Sequence, residues 1–286
     1  MSIEQTIIQA QELGKKNWVQ AMHILNSAAE EYPNEARLQT TMAELFISRL
    51  QYSMALKHYL RSLALDPENL RVVVAIAGCY LALGEYRLAL IYYKRIPDPP
   101  EEILYNIGYA QALMGSHQEC IDTMQKLRKR LPKHPYVYFV IIEQYIEMRE
   151  SDEAMRYLRK AQECCPDHVQ LNLFAGLIYS DKKMWLQAYY YYRKASKMAK
   201  INNPEHMIRY SAAALQTGLP QESISILLQC EKAWPYLSEI YLNLVKTYLF
   251  IGDTKSAASV IKRAKNSLSH LSPALKIMQE RLKKQE

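Results

Sequence analysis

Residues 70–95 read LRVVVAIAGCYLALGEYRLALIYYKR, and the apolar positions in this stretch follow a helical period twice. Val73, Ile76, Ala77 and Tyr80 stand at i, i+3, i+4 and i+7, which gathers them on one face of a first helix. Tyr86, Ala89, Leu90 and Tyr93 repeat the spacing on a second helix. Gly84 lies between the two faces, and a glycine there lets the chain turn sharply. The stretch therefore predicts an antiparallel helical hairpin. A small side chain at Ala89 lets the second helix approach the first closely, and the aromatic Tyr93 fills the gap beyond it.

The same arrangement recurs outward in both directions. Small residues fall at Ala21, Ala55, Ala89, Cys120, Ala154, Ala188, Ser223 and Ala257, separated by 34, 34, 31, 34, 34, 35 and 34 positions. A fixed period of this length is the mark of a repeat architecture. Twelve residues after most of them stands a proline, at Pro33, Pro67, Pro132, Pro166 and Pro235, where one unit closes.

This pattern resembles the tetratricopeptide repeat, a helix-turn-helix unit with a large apolar residue, a small one, an aromatic, then alanine, aromatic, alanine and proline. Residues 36–67, 135–166 and 238–269 match it well, with Tyr59, Tyr145, Ala161 and Tyr248 at motif positions. The resemblance covers almost the whole chain and implies an all-α, right-handed superhelical solenoid of about eight repeats over residues 1–271. Cys120 and Ser223 replace the motif alanine, Lys200 stands where the sixth proline belongs, and the third unit stops early at IPDPP (96–100). Irregular junctions are expected near 96–100 and 200–204. Residues 272–286 are expected to form a C-terminal capping helix, with Ser272 and Pro273 as N-cap and first-turn residue and Leu275, Met278 and Leu282 on a narrow apolar face.

Composition agrees with an ordered helical chain: 286 residues, 49% apolar, 23% charged and only 8 glycines. The opening MSIEQTIIQAQELGKK carries Glu4 and Glu12 and does not read as an export signal. No apolar run reaches the roughly 18 residues of a bilayer span. Five cysteines without CxxC spacing predict reduced thiols in a cytoplasmic protein. The net charge of +7 arises entirely in residues 144–286, and basic clusters occur at KLRKR (126–130), RKASKMAK (193–200) and RLKKQE (281–286). Such clusters admit nucleic acid as a partner, although dispersed helix-surface lysines favour a solvated exterior.

No sequence signature of an enzyme is found: HExxH, the phosphate-binding loop, GxSxG and GxGxxG are all missing. Cys164-Cys165-Pro166-Asp167-His168 occupies the turn between two units, as LDPEN (65–69) does earlier, and lacks zinc-chelating spacing. The expectation is a non-enzymatic protein without cofactor or metal.

Four consecutive tyrosines, Tyr189 to Tyr192, pose a separate question. By register Tyr189 and Tyr192 belong to the core. Tyr190 and Tyr191 then face outward, and Tyr191 aligns with Tyr92 and Tyr157, either as an outer stripe or as rings lying flat over helix stems.

In the resembled family the first helix of each hairpin lines a groove for a peptide or helix. The corresponding positions here are Tyr105, Asn106, Tyr109, Tyr136, Phe139, Glu143, Glu147, Leu173, Phe174, Leu177, Arg209, Asn243 and Lys246. The family's carboxylate clamp is not reproduced: Asn106 fits its asparagine, but Val74, Gly78, Tyr136 and Val140 flank it where basic residues are needed. An aromatic-lined groove that takes a protein segment by apolar anchors is expected, as in the adaptors and secretion chaperones of this repeat class. Arg209 and Lys246 suggest acidic residues beyond the ligand's apolar portion. A scaffold subunit using its convex face and ends is the alternative, and a nucleic-acid-associated factor the weaker one. The apolar Ile3, Ile7 and Ile8 leave pairing of two copies through terminal repeats open.

Overall fold

A computed structural model describes residues Ser2 to Lys283, with side chains through Leu282. Among the described residues there are seventeen α-helices and no strand. The first unit of the chain holds α1 (Ile3–Gly14), α2 (Trp18–Glu31), α3 (Ala36–Ile47), α4 (Tyr52–Leu65), α5 (Leu70–Ala82), α6 (Tyr86–Tyr93), α7 (Glu101–Leu113) and α8 (His117–Arg130). The second holds α9 (Pro135–Glu147), α10 (Ser151–Cys164), α11 (Val169–Asp181), α12 (Trp185–Met198), α13 (Pro204–Gln216), α14 (Pro220–Ala233), α15 (Ser238–Phe250), α16 (Thr254–Ser267) and α17 (Pro273–Lys283). The sequence reads residues 1–271 as one run of repeats; the contacts gather that run into two compact units, Met1–Pro132 and Lys133–Glu286.

In every hairpin the odd-numbered helix packs on the even-numbered one that follows. The small residues that set the period lie at this contact: Ala21, Ala55, Ala89, Cys120, Ala154, Ala188 and Ala257 are fully buried, and Ser223 nearly so. Opposite them the fit is by size. Gly176 lies so close to the Tyr192 ring that an added Cβ would stand 2.8 Å from it, and a Cβ at Gly108 would strike the end of Met124. Tyr59, Tyr93 and Tyr192, at the aromatic position of their units, are all buried, and each faces Ala or Gly in the first helix at a spacing of 16.

The turns share one backbone device. Leu50, Gly84, Gly115, Arg149, Lys183, Gly218 and Gly252 occupy the same register position, and each has a positive φ between 57° and 80°. At the ends of the second helices, Tyr32, Asp66, Leu131, Cys165 and Trp234 leave helical geometry, with ψ between 63° and 82°. Each precedes a proline, whose ring disfavours the helical region for the residue before it.

Both irregular junctions have local causes. Helix α6 spans only 8 residues and ends before IPDPP, where Asp98 takes φ 44°. Arg130, one of the basic residues of KLRKR, is committed to this segment: Nη1 donates to the Pro99 carbonyl at 2.7 Å and Nη2 pairs with Asp98. At 199–204 the chain runs extended at Ala199 and buries Ile201. Proline returns at Pro204 as the first residue of α13, capped by Asn203. Helix α17 packs on α15 and α16, burying Leu275 and Leu282, with Met278 partly covered. The Ser272 carbonyl accepts from Lys276 N, but its hydroxyl is buried without a partner among the described residues, so the expected side-chain cap does not form. Residues 284–286 of the expected cap lie outside the described residues.

Candidate partner-binding face

In the second unit each first helix touches the next: α9 packs on α11, α11 on α13 and α13 on α15. The second helices α10, α12, α14 and α16 make no comparable backbone contact among the described residues. Closer approach on one side than the other bends the layer, so the first helices form the inner face of this unit. A concavity opens there, lined by Ser180, Trp185, Glu205, Ile208, Arg209, Ala212, Glu239 and Asn243.

The structure sorts the sequence-predicted groove residues into those presented and those consumed by packing. Tyr136 is 55% exposed at the start of α9. Phe139, Leu173, Phe174 and Leu177 are buried, which corrects their expected place as open anchors. Phe139 packs against His168 at 4.7 Å and Phe174 at 6.1 Å between ring centres, with Tyr136 edge-on at 5.5 Å. The cause is position: α11 is covered by α9, α12 and α13, and an element covered on several sides buries apolar residues all round.

Arg209 is also not available as drawn from sequence. Its Nη1 donates to Asp181 at 2.5 Å and its Nε to Glu205 at 3.1 Å, so two carboxylates already neutralise it. Lys246 is exposed, and Asn243 lines the concavity. Glu143 and Glu147 lie one turn apart on α9. Desolvation first, and the Glu147 charge second, hold the Glu143 carboxyl above the ordinary carboxylate range.

In the first unit Tyr105 and Tyr109 are both exposed on α7, while Asn106 lies beside the buried Tyr93. A second concavity, missed in the sequence, crosses α1, α3 and α5 and is lined by Ile8, Gln11, Arg37, Thr40, Glu44 and Arg71 among others. Its signal was present in the register: Arg37, Thr40 and Glu44 are the counterparts of Tyr136, Phe139 and Glu143. Of the apolar residues at the start, Ile3 and Ile7 pack against the core, and Ile8 faces the concavity.

The tyrosine run is mostly structural. Tyr192 is fully buried, and Tyr189 donates to Glu222 at 2.6 Å. Glu222 also accepts from Tyr210 at 3.1 Å, so one carboxylate ties α12, α13 and α14 together. Tyr191 stacks on Tyr179, and only Tyr190 stands open, at 60% exposure. Tyr157 is buried, with Arg156 and Lys160 over its ring, so it adds nothing to an exposed outer stripe.

Hairpins that stack first helix on first helix define a helical-repeat fold. The family model of the tetratricopeptide repeat matches residues 102–134, and the chain has the tetratricopeptide-repeat fold. Among curated proteins it is 23% identical over 246 residues to BBSome complex member BBS4 of Bos taurus, covering 69% of this chain and 47% of that protein. It is 25% identical over 197 residues to protein O-mannosyl-transferase TMTC1 of Homo sapiens, covering 62% and 22%. The chain thus spans about half the length of the first relative and about a fifth of the second. Among solved structures, a tetratricopeptide repeat protein from Parabacteroides merdae superposes with a TM-score of 0.63 at 13% identity, covering 87% of this chain and 98% of that one. YrrB, a TPR protein with an unusual peptide-binding site, superposes with 0.54 at 20% identity, covering 66% and 96%. Among the described residues no helix is long and apolar enough to cross a membrane.

Proposed function

We propose that the chain is a non-enzymatic adaptor or chaperone-like module that holds a segment of a partner protein on the inner face of its second unit. The observation that carries this reading is the continuous layer α9, α11, α13 and α15 with the concavity around Ala212 and Asn243. Of its charged lining groups, Arg209 and Glu205 are paired with each other, and Arg209 also with Asp181 beside the concavity, an arrangement that shapes a surface rather than poising an acid or base. The peptide-binding site of YrrB supports the same use of the fold.

A scaffold role on the outer face is the second reading. Leu186 and Tyr190, one turn apart on α12, are 69% and 60% exposed, and the relative BBS4 is named as a member of a complex.

Photo-crosslinking separates the two. A benzophenone side chain placed at Ala212 reports the inner face, and the same group at Leu186 reports the outer face of the same unit. Irradiation in native extract is expected to give a discrete partner adduct from position 212. An adduct from position 186 alone would transfer the function to the outer face.

A further inference from the structure

The second unit belongs to the basic half of the chain, yet its charge is divided by layer. The four second helices α10, α12, α14 and α16 carry eleven Lys and Arg against five Asp and Glu. The four first helices carry five carboxylates and only Arg209 and Lys246 as basic residues. The inner face therefore has the opposite sign to the outer one.

On α9 the acidic and apolar parts of this face meet. Tyr136, Val140, Glu143 and Glu147 follow one another at steps of 4, 3 and 4, which sets them along one side of the helix. Tyr136 is exposed, and Val140 is half-buried beside it. Among the described residues no Lys or Arg pairs with Glu143 or Glu147. Both carboxylates are exposed one turn apart on the same side of the helix, so they repel one another and stand open to a counter-charge. Arg209, the basic residue nearest in register on α13, is already held by Asp181 and Glu205. Two carboxylates also fall short of the six or more oxygens that calcium takes.

We propose that the inner face of the second unit receives a segment of a partner protein in which Lys or Arg residues flank a bulky apolar side chain, the basic groups meeting Glu143 and Glu147 and the apolar one lying against Tyr136. This inference rests on the inner-face reading above and names the chemistry of its ligand. The sign is the reverse of the acidic ligand that Arg209 and Lys246 suggest from sequence. Charge-assisted hydrogen bonds from ammonium or guanidinium groups relieve the carboxylate repulsion and set the register of the segment.

The test uses two fluorescein-labelled peptides of about 14 residues, one composed of Leu, Phe, Lys and Arg and a twin with Glu at every basic position. Fluorescence anisotropy with the full chain is expected to show the basic peptide binding at least about tenfold more tightly than its twin. The double variant Glu143→Gln with Glu147→Gln is expected to remove most of that preference and to flatten its salt dependence. The equal charge change Glu150→Gln with Glu163→Gln, off this face, is expected to leave it intact. Equal or tighter binding of the acidic twin overturns the inference, and so does a basic-peptide affinity that the double variant leaves unchanged. A benzophenone at Ala212 keeps the two readings apart: an acidic peptide crosslinked there defeats the charge inference while the inner face stands as a binding site. If neither peptide binds, the charge inference falls, and the adducts formed in native extract decide the inner-face reading by themselves.

Discussion

Tyr179 and Tyr191 stack face to face, with ring centres 5.5 Å apart and planes 9° from parallel, across the two helices of one hairpin. The same pair of register positions, 12 residues apart, is stacked as Phe46 on His58, Tyr80 on Tyr92 and Tyr145 on Tyr157. In the fourth unit, which follows the shortened third one, the pair is polar, and Thr123 donates to Gln111 at 2.8 Å. Aromatic pairs add about 0.5–1.5 kcal/mol beyond their buried area. A double-mutant cycle of Tyr179→Leu and Tyr191→Leu, read by denaturant unfolding, should show a coupling of about 1 kcal/mol. Additive losses would mean that Tyr191 rests on the surface without engaging its partner.

The turn position supplies a stabilising change. Leu50, Arg149 and Lys183 hold left-handed φ values of 57° to 59° where four other units have glycine. Such a conformation costs an ordinary L-residue roughly 1–2 kcal/mol, partly offset by the larger entropy glycine loses on folding. Arg149→Gly and Lys183→Gly are each expected to stabilise the chain by about 0.5–1 kcal/mol, and Gly218→Ala to destabilise it by a similar amount. A lower melting temperature in both glycine variants would count against this account of the turn.

Gly176 tests the fit by size. A methyl group there meets the flat ring of Tyr192, which is itself fully buried and has no room to withdraw. Overpacking of this kind typically costs about 1–3 kcal/mol. Gly176→Ala should fall in that range, and adding Tyr192→Leu should recover part of the loss, because Leu158 and Leu227 occupy the equivalent place opposite Ile142 and Ser211. A double variant no more stable than the sum of its singles would show that the ring is not what confines position 176.

Much of the architecture could be read from Ala21 to Ala257 because a close helix contact admits only small side chains, and that demand leaves a periodic trace. The inner face was less legible. Phe139 and Tyr136 both stand on α9 as apolar side chains, yet α11 covers one and leaves the other open, a distinction that depends on neighbouring repeats. Arg209 shows the same limit for charge: its partners are Glu205, four residues away, and Asp181, from another hairpin. Sequence period identifies which residues share a helix side; packing decides which of them a ligand meets.

Acid should loosen the second unit through His206. Burial lowers its pKa, with Arg209 acting in the same sense and Glu205 against both. Its Nδ1 is buried without a partner among the described residues, and its ring lies 6.0 Å from that of Tyr192. A histidine whose folded pKa is depressed contributes stability that is present above the unfolded value of about 6.5 and is lost as pH falls through the folded one. His58, also lowered by burial, acts in the same direction in the first unit. Glu143 acts oppositely, since protonation of a carboxyl with a raised folded pKa favours the folded state. The melting temperature should therefore fall between about pH 7 and pH 5.5, ahead of ordinary carboxylate titration. His206→Phe should flatten that fall, whereas Glu143→Gln should steepen it by removing the opposing contribution. If His206→Phe keeps the parental slope across this window, the ring is solvated in the folded protein and its burial against Tyr192 is wrong.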